Sequence, residues 1–188
     1  MTDLLCIGDS WIECDEDYKW PVLLGVPPSL RQGVGGTTAH QWASDHNGML
    51  TRAINTPADD VFVSVGGNDL RNALADFIKS RDKAKFGLAV KAMQADTASV
   101  IARFAKRDRV FVIQYDASIR VQPVYALLSQ WGNRMVEQAA VSVAGARIIM
   151  ARFDTVLAGP ADFQSDGFHP SKRGHQKIAA YMTTLLNK

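Results

Sequence analysis

The chain of 188 residues is 47% hydrophobic and 21% charged, an ordinary globular composition with enough material for one core, and it reads as a single domain over 1–188. Its 21 basic and 19 acidic residues leave a net charge of +2 with no dense Lys/Arg block, so charge gives no case for a nucleic-acid partner. Two cysteines, Cys6 and Cys14, are too few for a disulfide-built scaffold, and neither sits in a CxxC pair that would suggest zinc or thioredoxin-type chemistry.

Met1-Thr2-Asp3 leads straight into the first apolar run, with no basic segment followed by an apolar leader. No apolar run reaches membrane-spanning length, so the expectation is a soluble chain, cytoplasmic by default, with no membrane partner. The first run, "LLCI" (4–7), holds Cys6 as a buried free thiol and stops on Gly8-Asp9-Ser10. The acidic residues Glu13, Asp15, Glu16 and Asp17 then suit the start of a short helix in "DEDYKWPVLL", where the helix dipole favours negative charge; the alternative is that they edge a cleft. A weaker run, "SLRQGV" (29–34), precedes a helix predicted over 38–54 with Trp42, Met49 and Leu50 inward. The third run is "VFVSV" (61–65). The basic stretch "KSRDKAKF" (79–86) reads as the solvated start of a helix predicted over 83–107, in which Phe86, Val90, Met93, Thr97, Val100, Ile101 and Phe104 recur at steps of three and four and Lys106 and Arg107 fall in the last turn. The fourth run is "RVFVIQY" (109–115). It is followed by a helix predicted over 123–143, opened by Pro123, with Val124, Leu127, Leu128, Trp131, Met135 and Ala139 inward and Gly145 as a stop. After "RIIMA" (147–151), a last helix over 171–187 is capped by Ser171 and buries Ile178, Tyr181, Met182 and Leu185. His40, His46 and His175 fall on these helices or their ends without a partner pattern; they read as structural, and no metal site is expected.

Four of the five runs are near-continuous rather than alternating, which suits strands covered on both faces. Strands alternating with helices imply an open, doubly wound α/β sheet, whose ligands bind at the carboxyl ends of the strands. The loops there carry Gly8-Asp9-Ser10, "GVGGTTAH" (33–40), Gly66-Gly67-Asn68-Asp69 and, before the last helix, Asp166-Gly167-Phe168-His169. A serine hydroxyl reacts only when a base takes its proton, and His169 is the best base candidate. Asp166, three residues upstream, can fold back to the other ring nitrogen and fix the tautomer. The backbone N–H groups of Ser10 and Gly36 and the amide of Asn68 are candidate donors to an oxyanion. Together these make an acyl-transfer site. Asp9, Trp11, Asp69 and Arg71 complete the candidate pocket set: Trp11 either lines it or packs beneath the turn, and Arg71 follows the Asn68 loop. Phe163 and Phe168 flank the candidate catalytic loop, and they too either line the pocket or pack beneath it.

These blocks, Gly8-Asp9-Ser10, Gly36, Gly66-x-Asn68-Asp69 and Asp166-x-x-His169, resemble those of the SGNH hydrolases, also called GDSL esterases/lipases, in order from the first strand to the last helix. The resemblance implies a flavodoxin-like three-layer α/β/α sandwich with a central five-stranded parallel sheet. It also implies Ser10 as nucleophile, His169 as base, Asp166 as its acid partner, and Ser10, Gly36 and Asn68 as the oxyanion hole. Two positions depart from the family pattern: Trp11 stands where Leu often follows the serine, and Arg31 stands where the second block usually has Asn. The expected activity is a serine esterase working through an acyl-enzyme without cofactor. With no lid insertion, it would act on short acyl esters, such as acetyl esters of sugars or small alcohols. The competing readings are a phosphate- or nucleotide-binding module using "GVGGTT", which lacks the lysine of a phosphate loop, and a non-catalytic carbohydrate-binding relative. Oligomeric state is not legible in the sequence.

Overall fold

A computed structural model describes residues 3–13, 16–118, 120–143, 145 and 147–188, with the side chains of Tyr125 and Leu128 left out. The expectations placed on Cys14, Asp15 and the Leu128 side chain therefore lie outside the described residues. Five strands, β1 (Leu4–Gly8), β2 (Arg31–Gly33), β3 (Asp60–Ser64), β4 (Arg109–Gln114) and β5 (Ile148–Arg152), form one parallel sheet in the order β2-β1-β3-β4-β5. Register runs straight across the centre, Cys6 opposite Phe62 and Phe62 opposite Phe111. Every residue of β1, β3 and β4 is buried, as near-continuous apolar runs require.

Side chains alternate between the two faces of the strands and feed two separate cores. Cys6, Phe62, Phe111 and Ile113 pack with Trp11, Trp20, Phe153, Ile178 and Met182, beneath α1 (Trp20–Leu23) and α7 (Lys172–Leu186). Leu5, Ile7, Val61, Val63, Val110 and Val112 pack on the other face. They meet residues of α2 (Ala39–Ala43), α3 (Met49–Asn55), α5 (Lys83–Ala102) and α6 (Pro123–Val141), among them Trp42, Leu50, Val100, Ile101 and Val136. The expected α/β/α sandwich is therefore present, with strand order 2-1-3-4-5.

Several helices differ from expectation. The segment 38–54 is broken: α2 and α3 are separated by a turn in which Asp45, Asn47 and Gly48 adopt left-handed conformations (φ 56°, 54° and 69°). The Asp45 carboxylate accepts from Thr51 N and Oγ1, a local bond that competes with continued helix. Trp42, Met49 and Leu50 are still buried. An additional helix, α4 (Gly67–Ser80), follows the third strand directly. Helix α5 opens with Asp82 capping Lys85 N and stops at Ala102, short of Lys106 and Arg107. The Arg107 guanidinium donates to the carbonyls of Ile54, Thr56 and Ala58 instead of closing a helix. In α6 the expected inward face holds only in part: Ala139 is buried and Trp131 and Met135 pack on a small cluster with Leu70, Val90 and Met93, but Val124 and Leu127 are exposed, and Ala126, Ser129, Asn133, Val136 and Ala140 are buried as well. That face is half polar because it looks onto the cavity described below, which hid its period from a count of apolar residues. Helix α1 has only four residues with no acid in its first turn, so Glu13, Glu16 and Asp17 do not serve its dipole.

Candidate active site

The loops at the carboxyl edge of the sheet bring the sequence blocks together. Strand β1 ends at Gly8, whose φ of +138° and close approach to the Ser64 carbonyl leave no room for a Cβ. The chain then turns, with the N–H groups of Ile12 and Glu13 both donating to the Asp9 carbonyl, and Ser10 emerges half-buried at the sheet edge. Its Oγ lies 2.8 Å from His169 Nε2, and His169 Nδ1 lies 2.5 Å from Asp166 Oδ2. The other Asp166 oxygen accepts from the backbone N–H groups of Phe168 and His169. Burial works against the charged form of Asp166, but the bonds from His169 and Phe168 outweigh it and hold the carboxyl below its usual range. An ionised Asp166 can only accept, so Nδ1 carries the proton and Nε2 is left bare to accept from Ser10 Oγ.

The loop carrying this pair is anchored at both ends. Phe163 and Pro170 form an isolated antiparallel bridge, Gln164 N donates to the His169 carbonyl, and Ser118 N donates to the Gly167 carbonyl. At its base, buried Asp162 accepts from Lys177 Nζ (2.7 Å) and is ion-paired with Arg173 Nε (3.1 Å), and Ser171 Oγ caps α7 by accepting from Gly174 N.

Across from the serine, Gly36 adopts φ +75° in a turn with open space beside it. Neither its N–H nor that of Ser10 donates to any partner among the described residues. Asn68, buried in the first turn of α4, donates one amide hydrogen to the Thr37 carbonyl (3.0 Å), which fixes the orientation of the other. The N–H groups of Ser10 and Gly36 and the second amide hydrogen of Asn68 are thus three donors with no acceptor among the described residues.

The four remaining pocket candidates divide. Arg71 lines a cleft of about 230 Å³ together with Gly67, Leu70, Met93, Asn133, Phe168 and His169. Trp11 does not line it: it is fully buried, stacked on Phe153 and edge-on to Tyr115 and Phe168. Asp69 turns away to accept from Ala39 N (2.7 Å), holding α2 against α4. Asp9 is buried next to Ser10 in the turn, accepting from Ser64 Oγ (2.8 Å), Tyr115 Oη (2.7 Å) and Trp11 N (3.2 Å). Complete burial pushes its carboxyl up to about 6, even though these three bonds favour the charge. Phe168 borders the cleft, whereas Phe163 belongs to the core.

Sequence reading missed Tyr115, Ser129 and Asn133. The first could have been found by carrying the search to the loop after the fourth run, "IQYDAS", which is also a carboxyl end of the sheet. His175 is buried with Nδ1 accepting from Trp20 N, and His40 pairs with Asp96 in solvent, so both lie away from the cleft. Among the described residues, no three His, Cys, Asp or Glu side chains cluster as metal ligands, and no helix is long and apolar enough to cross a membrane.

Residues 6–177 match the model of the GDSL-like lipase/acylhydrolase family. A comparison with curated proteins gave no match. Among solved structures, the chain is similar to an acetylxylan esterase from Geobacillus stearothermophilus (19% identity, TM-score 0.72, covering 100% of this chain and 94% of that one). It is also similar to LAE5, an alpha/beta hydrolase enzyme from the metagenome of Lake Arreo (17%, 0.74, 99% and 95%). A third is a lipolytic G-D-S-L family protein from Veillonella parvula (15%, 0.68, 98% and 98%). These likenesses show a shared fold, and the match over nearly the whole sequence shows descent: the chain belongs to the GDSL-like lipase/acylhydrolase family and is an ester-hydrolysing serine hydrolase.

Proposed function

We propose that Ser10 attacks the ester carbonyl and that His169, oriented by Asp166, takes its proton. The observation that carries this reading is the continuous line of bonds from Ser10 Oγ to His169 Nε2 (2.8 Å) and from His169 Nδ1 to Asp166 Oδ2 (2.5 Å). Attack yields a tetrahedral oxyanion, which accepts from the N–H groups of Ser10 and Gly36 and the second amide hydrogen of Asn68; that these three donors have no other acceptor among the described residues supports this reading. The imidazolium then returns its proton to the leaving alcohol, and water activated by the same ring releases the acid. The negative Asp166 stabilises the imidazolium through both half-reactions.

The substrate is a short-chain ester, with acetyl esters of carbohydrates the favoured class. A cleft of about 230 Å³ is small beside the roughly 300–1,000 Å³ typical of ligand sites, which suits a short acyl group better than a fatty chain. Its lining mixes apolar Leu70, Met93 and Val136 with polar Arg71, Gln122 and Asn133, as a hydroxylated alcohol requires. The similarity to an acetylxylan esterase agrees with this class. The protein is read as a single domain over 1–188. Hydrolysis of p-nitrophenyl acetate, p-nitrophenyl octanoate and an acetylated xylooligosaccharide tests the proposal. Acetyl substrates should exceed octanoate in kcat/KM by about tenfold or more. A preference for octanoate, or no release of acetate from the sugar, would overturn the substrate assignment.

A further inference from the structure

Tyr115 belongs to none of the four sequence blocks, yet it touches three of them. It stands just beyond the carboxyl end of β4. Its hydroxyl donates to Asp9 Oδ2 (2.7 Å) in the nucleophile turn. Its ring lies so close to Gly67, beside the oxyanion residue Asn68, that a Cβ there would sit 3.0 Å from the ring carbon bearing the hydroxyl. The same ring stacks on Phe168 of the catalytic loop (centroids 6.3 Å apart, planes at 18°) and meets Trp11 edge-on at 5.6 Å. The residue is itself fixed: its carbonyl accepts from the buried Asn133 amide at 2.7 Å. Burial and the charge of Asp9 hold the phenol well above its ordinary pKa, so it remains a donor throughout the working range.

We infer that Tyr115 is a positioning residue that acts through Asp9: its hydroxyl keeps the Asp9 carboxylate in place and ionised beneath Ser10, and so holds the nucleophile turn in register with the oxyanion and catalytic loops. The inference rests on Ser10 as nucleophile. Asp9 is next to Ser10 in sequence and bonds the N–H of the residue after it, Trp11 N, at 3.2 Å, so a shift of this carboxylate moves the turn from both sides of the serine. The titratable groups facing Asp9 are Tyr115 from the end of β4 and His169 from the loop before α7, and the field of His169 favours the carboxylate. No lysine or arginine among the described residues pairs with Asp9; its stabilisation comes from the neutral donors Tyr115, Ser64 and Trp11 N–H. An ionised Asp9 in turn favours the imidazolium that forms at His169.

The sign of the pH effect follows. Removing the Tyr115 hydroxyl takes away a bond to the charged form, raises the Asp9 pKa, and moves the acid limb of activity to higher pH. The test is Tyr115→Phe, which keeps the ring, assayed with p-nitrophenyl acetate beside wild type, Asp9→Asn and the double variant, from about pH 5 to about pH 9. Tyr115→Phe should lower kcat about tenfold near neutral pH with KM little changed, and shift the acid limb upward. Asp9→Asn should lower kcat at all pH values and remove the part of the acid limb that Asp9 supplies. The double variant should match Asp9→Asn rather than add to it. A wild-type rate and pH profile in Tyr115→Phe, or additive losses in the double variant, would overturn the inference. Should Tyr115→Phe fail to fold, Ser64→Ala removes the other hydroxyl donor to the same carboxylate and carries the same expectation. Ser10→Ala, run alongside, keeps the assignments separate: activity surviving there removes the nucleophile reading, whereas its loss leaves Tyr115 to be judged on its own profile.

Discussion

Asp60 opens β3 and Asp9 follows the last residue of β1, so two buried aspartates stand at opposite ends of neighbouring strands, and their surroundings differ in one respect. At the amino edge, Asp60 begins β3 directly opposite Arg109 of β4, whose Nε and Nη2 meet its two oxygens at 3.0 and 2.6 Å. The guanidinium also donates to the Leu186 carbonyl and lies over the Phe111 ring, so every part of it has a partner. At the carboxyl edge, Asp9 has three donors and, among the described residues, no lysine or arginine partner. Asp162, below the catalytic loop, follows the first pattern: burial opposes its charge, but Lys177, the Ala158 N–H and Arg173 outweigh that and hold its pKa down. Asp60 and Asp162 are paired with cations, whereas the acid beneath Ser10 is held by neutral dipoles and keeps its charge at a cost. A cation paired with Asp9 would compete for the negative charge that favours the His169 imidazolium, so the cost is intelligible as part of catalysis.

The comparison breaks most severely if the carboxyl edge is not where the chemistry occurs. Ser10→Ala should cut p-nitrophenyl acetate turnover by at least about a thousandfold with little change in Tm, since Ser10 is half-buried and anchors no core. At the other edge the expected effect reverses. Arg109→Met leaves the Asp60 carboxylate buried and unpaired, which should cost about 3–5 kcal/mol in a urea melt while the kcat of the folded fraction stays near wild type.

Asp9→Asn sharpens the contrast, because it should lower activity without the loss of stability that breaking the Asp60 pair brings. The Asp9 carboxyl is raised to about 6, so the unfolded chain ionises first as pH rises and the wild type loses stability between about pH 4 and about pH 6. A shift of about two units corresponds to about 3 kcal/mol. The asparagine variant should lack this decline, which stability measured against pH in both proteins would reveal. An exposed pair gives the lower bound of the series: Lys85→Ala, which breaks a 3.4 Å contact to Asp76 with both side chains mostly in solvent, should leave Tm unchanged within error.

The legible and illegible parts of this molecule divide along the same line between scaffold and site. The strands could be read because β1, β3 and β4 are buried on both faces and so are apolar throughout. The four blocks could be read because glycines and reactive side chains cluster where strands end. What escaped reading is where a core position has been given to the site. The inner face of α6 carries Ser129 and Asn133 toward the cleft, so a count of apolar residues finds Trp131, Met135 and Ala139 but also takes in exposed Val124 and Leu127. Helix α4 is capped by Gly66 and begins on Gly67, glycines that punctuate a sequence as a loop but here open the helix whose first turn carries Asn68. Trp11 beside Ser10 belongs to the core, and Tyr115, at the end of an apolar run, belongs to the site; neither assignment follows from local sequence, because both depend on which strands are neighbours.

The central claim is that Ser10 carries the acyl group. Rapid mixing with p-nitrophenyl acetate, followed by an acid quench and peptide mass spectrometry, tests it most directly. The account predicts a trapped acetyl on Ser10, absent from Ser10→Ala, in a protein whose variant no longer turns over the ester. Undiminished turnover by Ser10→Ala, or an acetyl group trapped on another side chain, would contradict it.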